Sequence, residues 1–562
     1  MEIDKAHGRF CLAKVKLDGD AIQKLAALPG FKKWVGRELL FAPTGANISH
    51  INKHWPRAVW SEAASPILDD YIETMHQAEL TRKEKASAPK DLGDFLFKTK
   101  PFDHQRKAFY MSRDKESFAL LMEQGTGKTK VIIDNAAYLY ASGDITALVV
   151  IAPNGVHRNW LNKEIPDHMP EWCNHSSAYY YSGMKSKDKA KFDDILSGQD
   201  ELKIFSFNVE AFVSQTAVAL MNKILLSNKV LLVVDESSRI KRPGAKRTKT
   251  IHKFAKQAKY RRIMTGTPVT KGPEDVYSQF RFLDPYILGY DSFYSFRARY
   301  CLMGGYENKQ IVSYQYMDEL TKSIEGHSFR VLKKDCLDLP DKIYQRHFVD
   351  LSPKQRKLYD SLKKDFVVEL EGDVIDAQEA ITRLLRLQQI VCGWFPAEEK
   401  ARPIDDKNPR LEALKDLLGN IDAKVIIWAR FRADIAQIER MLGHKAVSYH
   451  GGVSNDMRAK AVDSFQNDPS VRYFIGQPQS GGIGLTLTAA SYAIYYSNSF
   501  DLETRLQSED RCHRIGTTQN VTYIDIESPK TIDSKIIKAL RDKKNLADVV
   551  TKDPMSFFLS EE

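Results

Sequence analysis

The stretch FALLMEQGTGKT, residues 118–129, joins an apolar run to a glycine-rich turn. The apolar part, Phe118 to Met122, predicts a short buried strand, and the residues from Lys128 to Tyr140 follow the pattern of a helix. A strand, a tight turn and a helix in this order are typical of α/β folds with a parallel sheet.

Other apolar runs of the same kind occur along the chain, each followed closely by polar or turn-forming residues. They predict further strands at 147–152, 230–234, 262–264, 424–429, 473–475 and 492–496. Helical stretches, such as Ala433 to Leu442, lie between them. The strands form two groups, which predicts an α/β fold with two doubly wound parallel-sheet lobes, at 101–285 and 405–545.

Four other regions complete the predicted domain organisation. Residues 1–80 predict a small α+β accessory domain, and the charged and small residues of 81–100 predict a linker. Residues 286–404 are predicted to be mostly helical insertions between the lobes, and 546–562 a C-terminal tail.

The composition is that of an ordinary globular protein, with 43% hydrophobic and 28% charged residues. This excludes a largely disordered chain, a fibre and a disulfide scaffold. The 83 Lys and Arg residues against 73 Asp and Glu give a formal net charge of +10. That charge is compatible with a polyanionic partner and is only weak evidence for one.

The sequence contains no sign of a membrane or secretory protein. No apolar run approaches the roughly 18 residues that a membrane span requires, and the first ten residues, MEIDKAHGRF, contain no apolar signal-peptide core. The six cysteines are scattered without a CxxC pair, which excludes a cysteine-based zinc finger. We therefore expect a protein of the reducing cytoplasm without a membrane partner.

The glycine-rich turn has the composition of a phosphate-binding loop. Gly125 and Gly127 leave room for backbone N–H groups to converge on anionic oxygens at the start of the following helix. Lys128 would reach the β- and γ-phosphates, and the Thr129 hydroxyl would hold Mg²⁺. Met122 stands where the full motif has its first glycine, so a simple glycine-rich turn is the alternative.

Two adjacent acids, Asp235 and Glu236, follow the apolar strand at 230–234. Ligands bind at the carboxyl end of a parallel sheet, where two acids are costly unless they bind something. Asp235 suits indirect Mg²⁺ coordination, and Glu236 suits positioning and deprotonating a water aimed at a γ-phosphate. A solvated turn after a strand is the alternative.

Two further motifs could act together with the glycine-rich turn and the acidic pair. Thr265-Gly-Thr-Pro268 follows a short strand, and its hydroxyls can hydrogen-bond the acidic pair or a phosphate; alone it would be a simple turn. Arg511 and Arg514 are three residues apart and would share one face of a helix or tight turn. Such arginines stabilise a transferring phosphoryl group, although an isolated pair is usually a solvated or salt-bridged surface.

The order of these motifs resembles that of the superfamily 2 helicase-like ATPases and, within them, the SNF2-type DNA translocases. The resemblance covers about residues 100–545 and follows Asp103-His104-Gln105, MEQGTGKT, IAPNGVHRNW, VVDESSRIK, MTGTP, KVIIWARF, GGIGLTLTAA and QSEDRCHRIG. It implies two RecA-like lobes with helical insertions, the use of ATP and Mg²⁺, and DNA as partner.

The resemblance also implies roles for individual residues. Gln105 would recognise adenine, and Gln507, Arg511 and Arg514 would complete the nucleotide site from the second lobe. The phosphates and Mg²⁺ would be held by Gly125, Thr126, Gly127, Lys128 and Thr129, with Asp235 as a metal ligand and Glu236 activating water. The DNA backbone would be contacted by Asn159, Trp160, Gly481, Gly482, Thr486 and Thr488.

The sequence departs from the family pattern at several positions. Ser238 replaces the histidine common in the acidic motif, which leaves open how that motif communicates with Thr265–Pro268. Thr486 and Thr517 stand where many relatives have Asn and Gln. These departures, together with the small size, resemble phage or prokaryotic members more than nuclear remodellers.

The N-terminal segment resembles the HARP-type domain of annealing translocases, which would select forked or branched DNA. Trp34, Trp55 and Trp60 would then stack on exposed bases, or else form a small core.

The motifs and the resemblance together predict an ATP-dependent translocase on double-stranded or branched DNA, which remodels forks or displaces bound protein. The alternatives are a strand-separating helicase on DNA or RNA, and the motor subunit of a restriction or defence assembly. A DNA-binding scaffold with a vestigial ATPase is disfavoured, because Lys128, Asp235, Glu236 and Arg514 are all present.

Overall fold

The computed structural model describes most of the chain. The described residues are 1–6, 10–15, 18–28, 32–86, 95–154, 156–269, 272–290, 292–304, 310–337, 339–371, 385–396, 401–481, 485–498, 501–514, 517, 519–538 and 540. They divide into two compact units, one within Met1–Cys336 and one within Leu337–Asn545. Residues 87–94 of the predicted linker and the predicted tail 546–562 lie outside the described residues. No described helix is both long enough and apolar enough to cross a membrane.

The N-terminal part of the first unit combines a five-stranded mixed sheet with helices. Its strands are β1 (Glu2–Lys5), β2 (Cys11–Lys14), β3 (Lys32–Val35), β4 (Glu38–Phe41) and β5 (Val59–Trp60), and its helices are α1 (Gly19–Ala26), α2 (Gly45–His54) and α3 (Ser65–Ala86). The strand order is β3-β4-β2-β1-β5. Alternate residues of β4, Leu39 and Phe41, pack into a small core with Leu25 and Ile51 of the helices.

The rest of the first unit is built on a seven-stranded parallel sheet. Its strands are β6 (Ser117–Met122), β7 (Ala147–Ala152), β8 (His175–Tyr179), β9 (Leu202–Asn208), β10 (Val230–Asp235), β11 (Tyr260–Met264) and β14 (Ser328–Val331), and their order is β14-β6-β11-β10-β7-β9-β8. Strands β6, β7 and β10 are buried almost throughout, which is why they appear in the sequence as continuous apolar runs.

Helices cover both faces of this sheet. They are α4 (Asp103–Arg113), α5 (Lys128–Ala141), α6 (Val156–Asn159), α7 (Ile165–His168), α8 (Ser186–Ser197), α9 (Gln215–Ser227), α10 (Lys246–Ala255), α11 (Asp275–Leu283), α12 (Pro285–Leu288), α13 (Phe293–Tyr300), α14 (Met317–Glu325) and α15 (Lys333–Cys336). Two separate hydrophobic clusters flank the sheet, one around Phe205 and one around Leu148. A small hairpin, β12 (Cys301–Gly304) and β13 (Gln310–Tyr314), follows α13.

The second unit has a six-stranded parallel sheet of the order β15-β22-β21-β18-β20-β19. Its strands are β15 (Lys342–Phe348), β18 (Lys424–Trp428), β19 (Ala446–Tyr449), β20 (Tyr473–Gly476), β21 (Ala490–Tyr495) and β22 (Val521–Glu527), with a small pair formed by β16 (Trp394–Phe395) and β17 (Arg402–Pro403). Its helices include α16 (Pro353–Glu371), α17 (Pro409–Gly419), α18 (Arg432–Leu442), α19 (Asn455–Asn467), α20 (Pro478–Gly481) and α21 (Leu502–Glu509). The two parallel sheets confirm the predicted α/β fold class.

The predicted insertion at 286–404 contributes strands as well as helices. Strand β14 pairs in parallel with β6, and β15 pairs in parallel with β22, so this range completes one edge of each large sheet. The boundary between the two units, at Cys336 and Leu337, falls inside it. Both strands lie at sheet edges and contain polar residues, which is why the sequence pattern did not separate them from the helices.

The N-terminal domain packs closely on the first parallel-sheet domain. A Cβ atom added at Gly326 would overlap the Cβ of Ala78 in α3, and one added at Gly45 would lie 3.3 Å from the carbonyl oxygen of Tyr286. The side chain of Lys115 also donates a hydrogen bond to Gln77 Oε1, at 3.1 Å. The two domains therefore form one body within the first unit.

Candidate functional site

The glycine-rich loop between β6 and α5 brings its lysine back over the end of the strand. Gly125 and Gly127 have φ values of 77° and 85°, a left-handed backbone that favours glycine. Helix α5 begins at Lys128, and the Lys128 Nζ donates to the carbonyl oxygens of Met122 at 2.9 Å and Glu123 at 3.3 Å. The loop therefore has the positive ammonium and the helix N-terminus that phosphate binding requires.

Gln105 and His104 of α4 are hydrogen-bonded to this loop. Gln105 Nε2 donates to the Thr126 carbonyl at 3.1 Å, and its Oε1 accepts from the Phe102 N–H at 3.0 Å. His104 Nε2 also lies 2.8 Å from the Thr126 carbonyl, and burial lowers the His104 pKa. A Cβ at Gly127 would overlap the Gln105 amide, so only glycine fits there. Adenine recognition by Gln105 stays a prediction.

The acidic pair lies at the carboxyl end of β10, beside the loop. Trp160 Nε1 donates to Asp235 Oδ2 at 2.9 Å, and Thr265 Oγ1 donates to Glu236 Oε1 at 2.8 Å. Glu236 has a φ of 55°, a left-handed conformation that is strained for a residue other than glycine. The predicted hydrogen bond between the Thr265–Pro268 motif and the acidic pair is therefore confirmed.

Burial and a nearby lysine set the charge state of both acids. Burial raises the pKa of Asp235 and of Glu236, and the positive charge of Lys128 opposes the rise in each case. Buried carboxylates of this kind are stabilised by a cation. The donor set of Asp235 and the Thr129 hydroxyl, both oxygen ligands, is the type that Mg²⁺ prefers. The residues present therefore fit a magnesium–nucleotide complex, although the individual ligands stay predictions.

A glutamine outside the predicted motifs links the acidic motif to Thr265–Pro268. Ser237 Oγ donates to Gln279 Oε1 at 2.7 Å, and Gln279 Nε2 donates to the Pro268 carbonyl at 2.8 Å. Ser237 is thus connected through Gln279 to Pro268 by hydrogen bonds that link the two motifs. Ser237 precedes Ser238, which stands where many relatives have a histidine. The signal in the sequence was weak: Gln279 is a polar residue on the apolar face of α11, where it is fully buried.

The arginines of the second unit converge on one carbonyl group. Arg511 Nη1 and Arg514 Nη1 each lie 3.2 Å from the Leu485 carbonyl oxygen, and Arg514 also donates to Thr486 Oγ1 at 2.9 Å. Gln507, on α21, is buried and accepts a hydrogen bond from Arg511 Nε through its carbonyl oxygen, at 2.8 Å. The structure therefore brings Arg511 and Arg514 together at the Leu485 carbonyl, and Gln507 is joined to them through Arg511.

The residues predicted to contact DNA have different surroundings. Thr488, in the turn before β21, accepts a hydrogen bond from Gln466 at 3.3 Å, and Gly481 ends α20. Asn159 is half-buried at the end of α6, whereas the Trp160 side chain is only 1% exposed. Gly482 lies outside the described residues. Trp160 thus supports Asp235 from inside the protein, and the DNA contacts stay predictions.

The comparison with protein families assigns the chain. A family model described as "SNF2-related domain" matches residues 102–394. The chain belongs to the SNF2-related family. A second model, the helicase conserved C-terminal domain, matches residues 409–516. The predicted membership among the SNF2-type helicase-like ATPases is confirmed.

Curated SNF2-related proteins resemble the chain over most of its length. The SWI/SNF-related matrix-associated actin-dependent regulator of chromatin subfamily A containing DEAD/H box 1 of Xenopus tropicalis is 23% identical over 79% of this chain and 49% of that protein. The DNA annealing helicase and endonuclease ZRANB3 of Mus musculus is 26% identical over 77% of this chain and 39% of that protein. The chain spans at most about half the length of these relatives.

Among solved structures, the Sulfolobus solfataricus SWI2/SNF2 ATPase core in complex with dsDNA is 24% identical to this chain. That alignment covers 84% of this chain and 97% of the Sulfolobus chain, with a TM-score of 0.37.

Proposed function

We propose that the chain hydrolyses ATP and uses the free energy to move along double-stranded DNA. One observation carries the proposal: Lys128, Asp235 and Glu236 lie together at the carboxyl end of a parallel sheet, with Trp160 and Thr265 bonded to the two acids. This is the position at which parallel α/β sheets bind ligands.

Each residue of this group has a chemical task in the proposal. Lys128 contacts the β- and γ-phosphates, and Glu236, whose raised pKa makes it a better proton acceptor, orients the attacking water. Thr129 and Asp235 hold Mg²⁺, which neutralises phosphate charge when bound. The proposed role of Gln507, Arg511 and Arg514 is to stabilise the negative charge of the phosphoryl group, with Arg514 as the arginine finger.

The proposed partner is the backbone of duplex DNA, with forked or branched DNA as the preferred form. The hydroxyl and amide groups of Asn159, Thr486 and Thr488 suit contacts with phosphates, which carry no sequence information. The net charge of +10 is compatible with a polyanionic partner. The name of the mouse relative, a DNA annealing helicase and endonuclease, supports DNA as the partner.

The test is steady-state ATP hydrolysis with no nucleic acid, single-stranded DNA, double-stranded DNA, forked DNA and RNA. Lys128→Ala should abolish hydrolysis, because the loop loses the ammonium group proposed to contact the β- and γ-phosphates. Lys223→Ala is the matched control, since Lys223 forms an exposed ion pair with Asp193 and should behave as wild type.

The outcomes separate the candidate functions. Strong stimulation by duplex or forked DNA, with displacement of a third strand from a triplex and no separation of the duplex, supports translocation. Stimulation by RNA or single strands, together with strand separation, would favour the helicase alternative. Absence of hydrolysis under every condition would overturn the proposal.

A further inference from the structure

The segment that follows β7 contains an unusual turn next to the acidic pair. Helix α6 ends at Asn159, a π-helical turn spans Trp160–Glu164, and α7 begins at Ile165. A π-helical turn inserts one extra residue into a helix, and such turns are rare and concentrated at functional sites.

Trp160 points from this turn into the protein. Its side chain belongs to the hydrophobic cluster to which β6, α5 and β10 contribute Met122, Val131 and Val233. Its indole N–H donates to Asp235 Oδ2 at 2.9 Å. An indole has only two rotatable side-chain bonds, so any shift of the Trp160 backbone moves this hydrogen bond with it.

Asn159, the preceding residue, faces a different partner. It is half-buried, and its Nδ2 donates to Glu164 Oε1 at 3.2 Å, across the π-helical turn. The amide that is proposed to meet a DNA phosphate is therefore adjacent in the chain to the indole that orients Asp235. A change in the contacts of Asn159 acts on the same turn that carries Trp160.

We propose that Trp160 is a positioning residue that couples DNA binding at this turn to the orientation of the Asp235 carboxylate. The inference rests on the proposed function and adds a route by which duplex DNA changes metal and nucleotide binding. Hydrogen bonds that orient a metal-binding carboxylate typically change metal affinity by 10- to 100-fold. By linkage, DNA then strengthens metal binding by the same factor by which the metal strengthens DNA binding.

The test compares Trp160→Phe with Trp172→Phe. Trp172 is the matched control, because its indole N–H donates to the Leu96 carbonyl at 3.0 Å on the protein surface. Binding of Mn²⁺ in the presence of ADP is measured by electron paramagnetic resonance, with and without duplex DNA. In the wild type and in Trp172→Phe, DNA should tighten Mn²⁺ binding severalfold. In Trp160→Phe, binding should weaken by roughly tenfold and the effect of DNA should vanish.

A second variant separates the hydrogen bond from packing. Replacement of Trp160 by benzothienylalanine keeps the ring shape and removes the N–H, so it should reproduce Trp160→Phe without a cavity. The coupling would be overturned if DNA tightened Mn²⁺ binding in the benzothienylalanine variant as much as in the wild type, with the same thermal unfolding midpoint in both. If the wild type shows no DNA-stimulated hydrolysis, the proposed function fails, and the loss of Mn²⁺ affinity still decides whether the indole orients Asp235.

Discussion

At the scale of single residues, the acidic pair depends on donors that come from two other sequence motifs. Each carboxylate has its own donor: Trp160 for Asp235 and Thr265 for Glu236. Because Glu236 also has a left-handed backbone, its side chain is held by the surrounding contacts and not by local preference. Removing such a donor should alter the chemistry before it alters the fold.

Replacing Thr265 by valine should therefore lower kcat for ATP hydrolysis by roughly 10- to 100-fold with little change in KM. Valine keeps the shape and removes the hydroxyl, and a hydrogen bond to a charged group contributes about 1.5–3 kcal/mol. Steady-state kinetics measure the split between kcat and KM. Thr250→Val is the control, because its hydroxyl donates to the Lys246 carbonyl on the exposed face of helix α10. Equal kcat values for Thr265→Val and wild type would contradict the role given to this hydroxyl.

At the scale of elements, a buried arginine joins the strand before Thr265 to the helix of Gln105. Arg262, on β11, is fully buried and has no carboxylate partner among the described residues. Its guanidinium donates to the carbonyl oxygens of Ser112 at 2.5 Å, Lys115 at 2.6 Å and Glu116 at 3.1 Å. Burial lowers its pKa to about 9. The end of α4 and the start of β6 are thus fixed to β11.

Arg262→Met should lower the free energy of unfolding of the first unit by about 3–5 kcal/mol, because several buried carbonyl groups lose their donors. Urea denaturation measures the change. Arg261→Met is the control: its side chain is half-buried and donates to Ser117 Oγ at 3.0 Å, so a cost below about 1 kcal/mol is expected. Similar costs for the two variants would show that the carbonyl contacts contribute little.

A buried carboxylate on a helix of the second unit makes the stability of that unit depend on pH. Asp434 of α18 is fully buried and accepts hydrogen bonds from Trp394 Nε1 at 2.7 Å and Ser497 Oγ at 3.2 Å. Burial raises its pKa to about 6, although the charge of Arg410 partly opposes this. The folded state therefore binds this proton more tightly than the unfolded state, and stability falls as pH rises from about 4 to about 6.

Asp434→Asn should remove this part of the pH dependence. Over that pH range, the wild type should lose about 3 kcal/mol of unfolding free energy relative to the variant, since one pKa unit corresponds to about 1.4 kcal/mol. Urea denaturation at several pH values provides the measurement, with Asp463→Asn on the exposed face of α19 as the control. Parallel pH profiles for wild type and Asp434→Asn would refute the assignment.

The sequence pattern predicts the strands that form unbroken apolar runs and misses strands that contain polar residues, including the buried strands β9 and β22. Strand β7 has the predicted bounds Ala147–Ala152, because a strand buried on both faces needs an unbroken apolar run. Strands β8 and β15 are partly exposed and mostly polar, so they were not predicted. The loop residues Gly125 to Thr129 were predictable because their chemistry is local. Arg262 and Gln279 were not, because their partners are distant in the sequence.

At the scale of the whole molecule, the N-terminal domain is part of the first unit and not a separate appendage. Gly326→Val should displace α3, because the new side chain overlaps Ala78. Hydrogen exchange of α3 amides should then become at least about tenfold faster, since helix stability comes largely from packing. Gly244→Val is the control, because no atom lies within 4 Å of the added Cβ. Unchanged exchange in α3 would show that the two domains are held together elsewhere.

The end of the first unit is hydrogen-bonded to the segment that leads into the glycine-rich loop. Glu123 N–H donates to the Val331 carbonyl at 3.0 Å, and the Glu123 carboxylate accepts from the Lys333 N–H at 2.8 Å. Three residues after Lys333 the first unit ends. A force on the chain at the unit boundary is therefore resisted by the hydrogen bonds of Glu123, a residue within FALLMEQGTGKT. Tension at this boundary acts directly on the segment that leads into the glycine-rich loop.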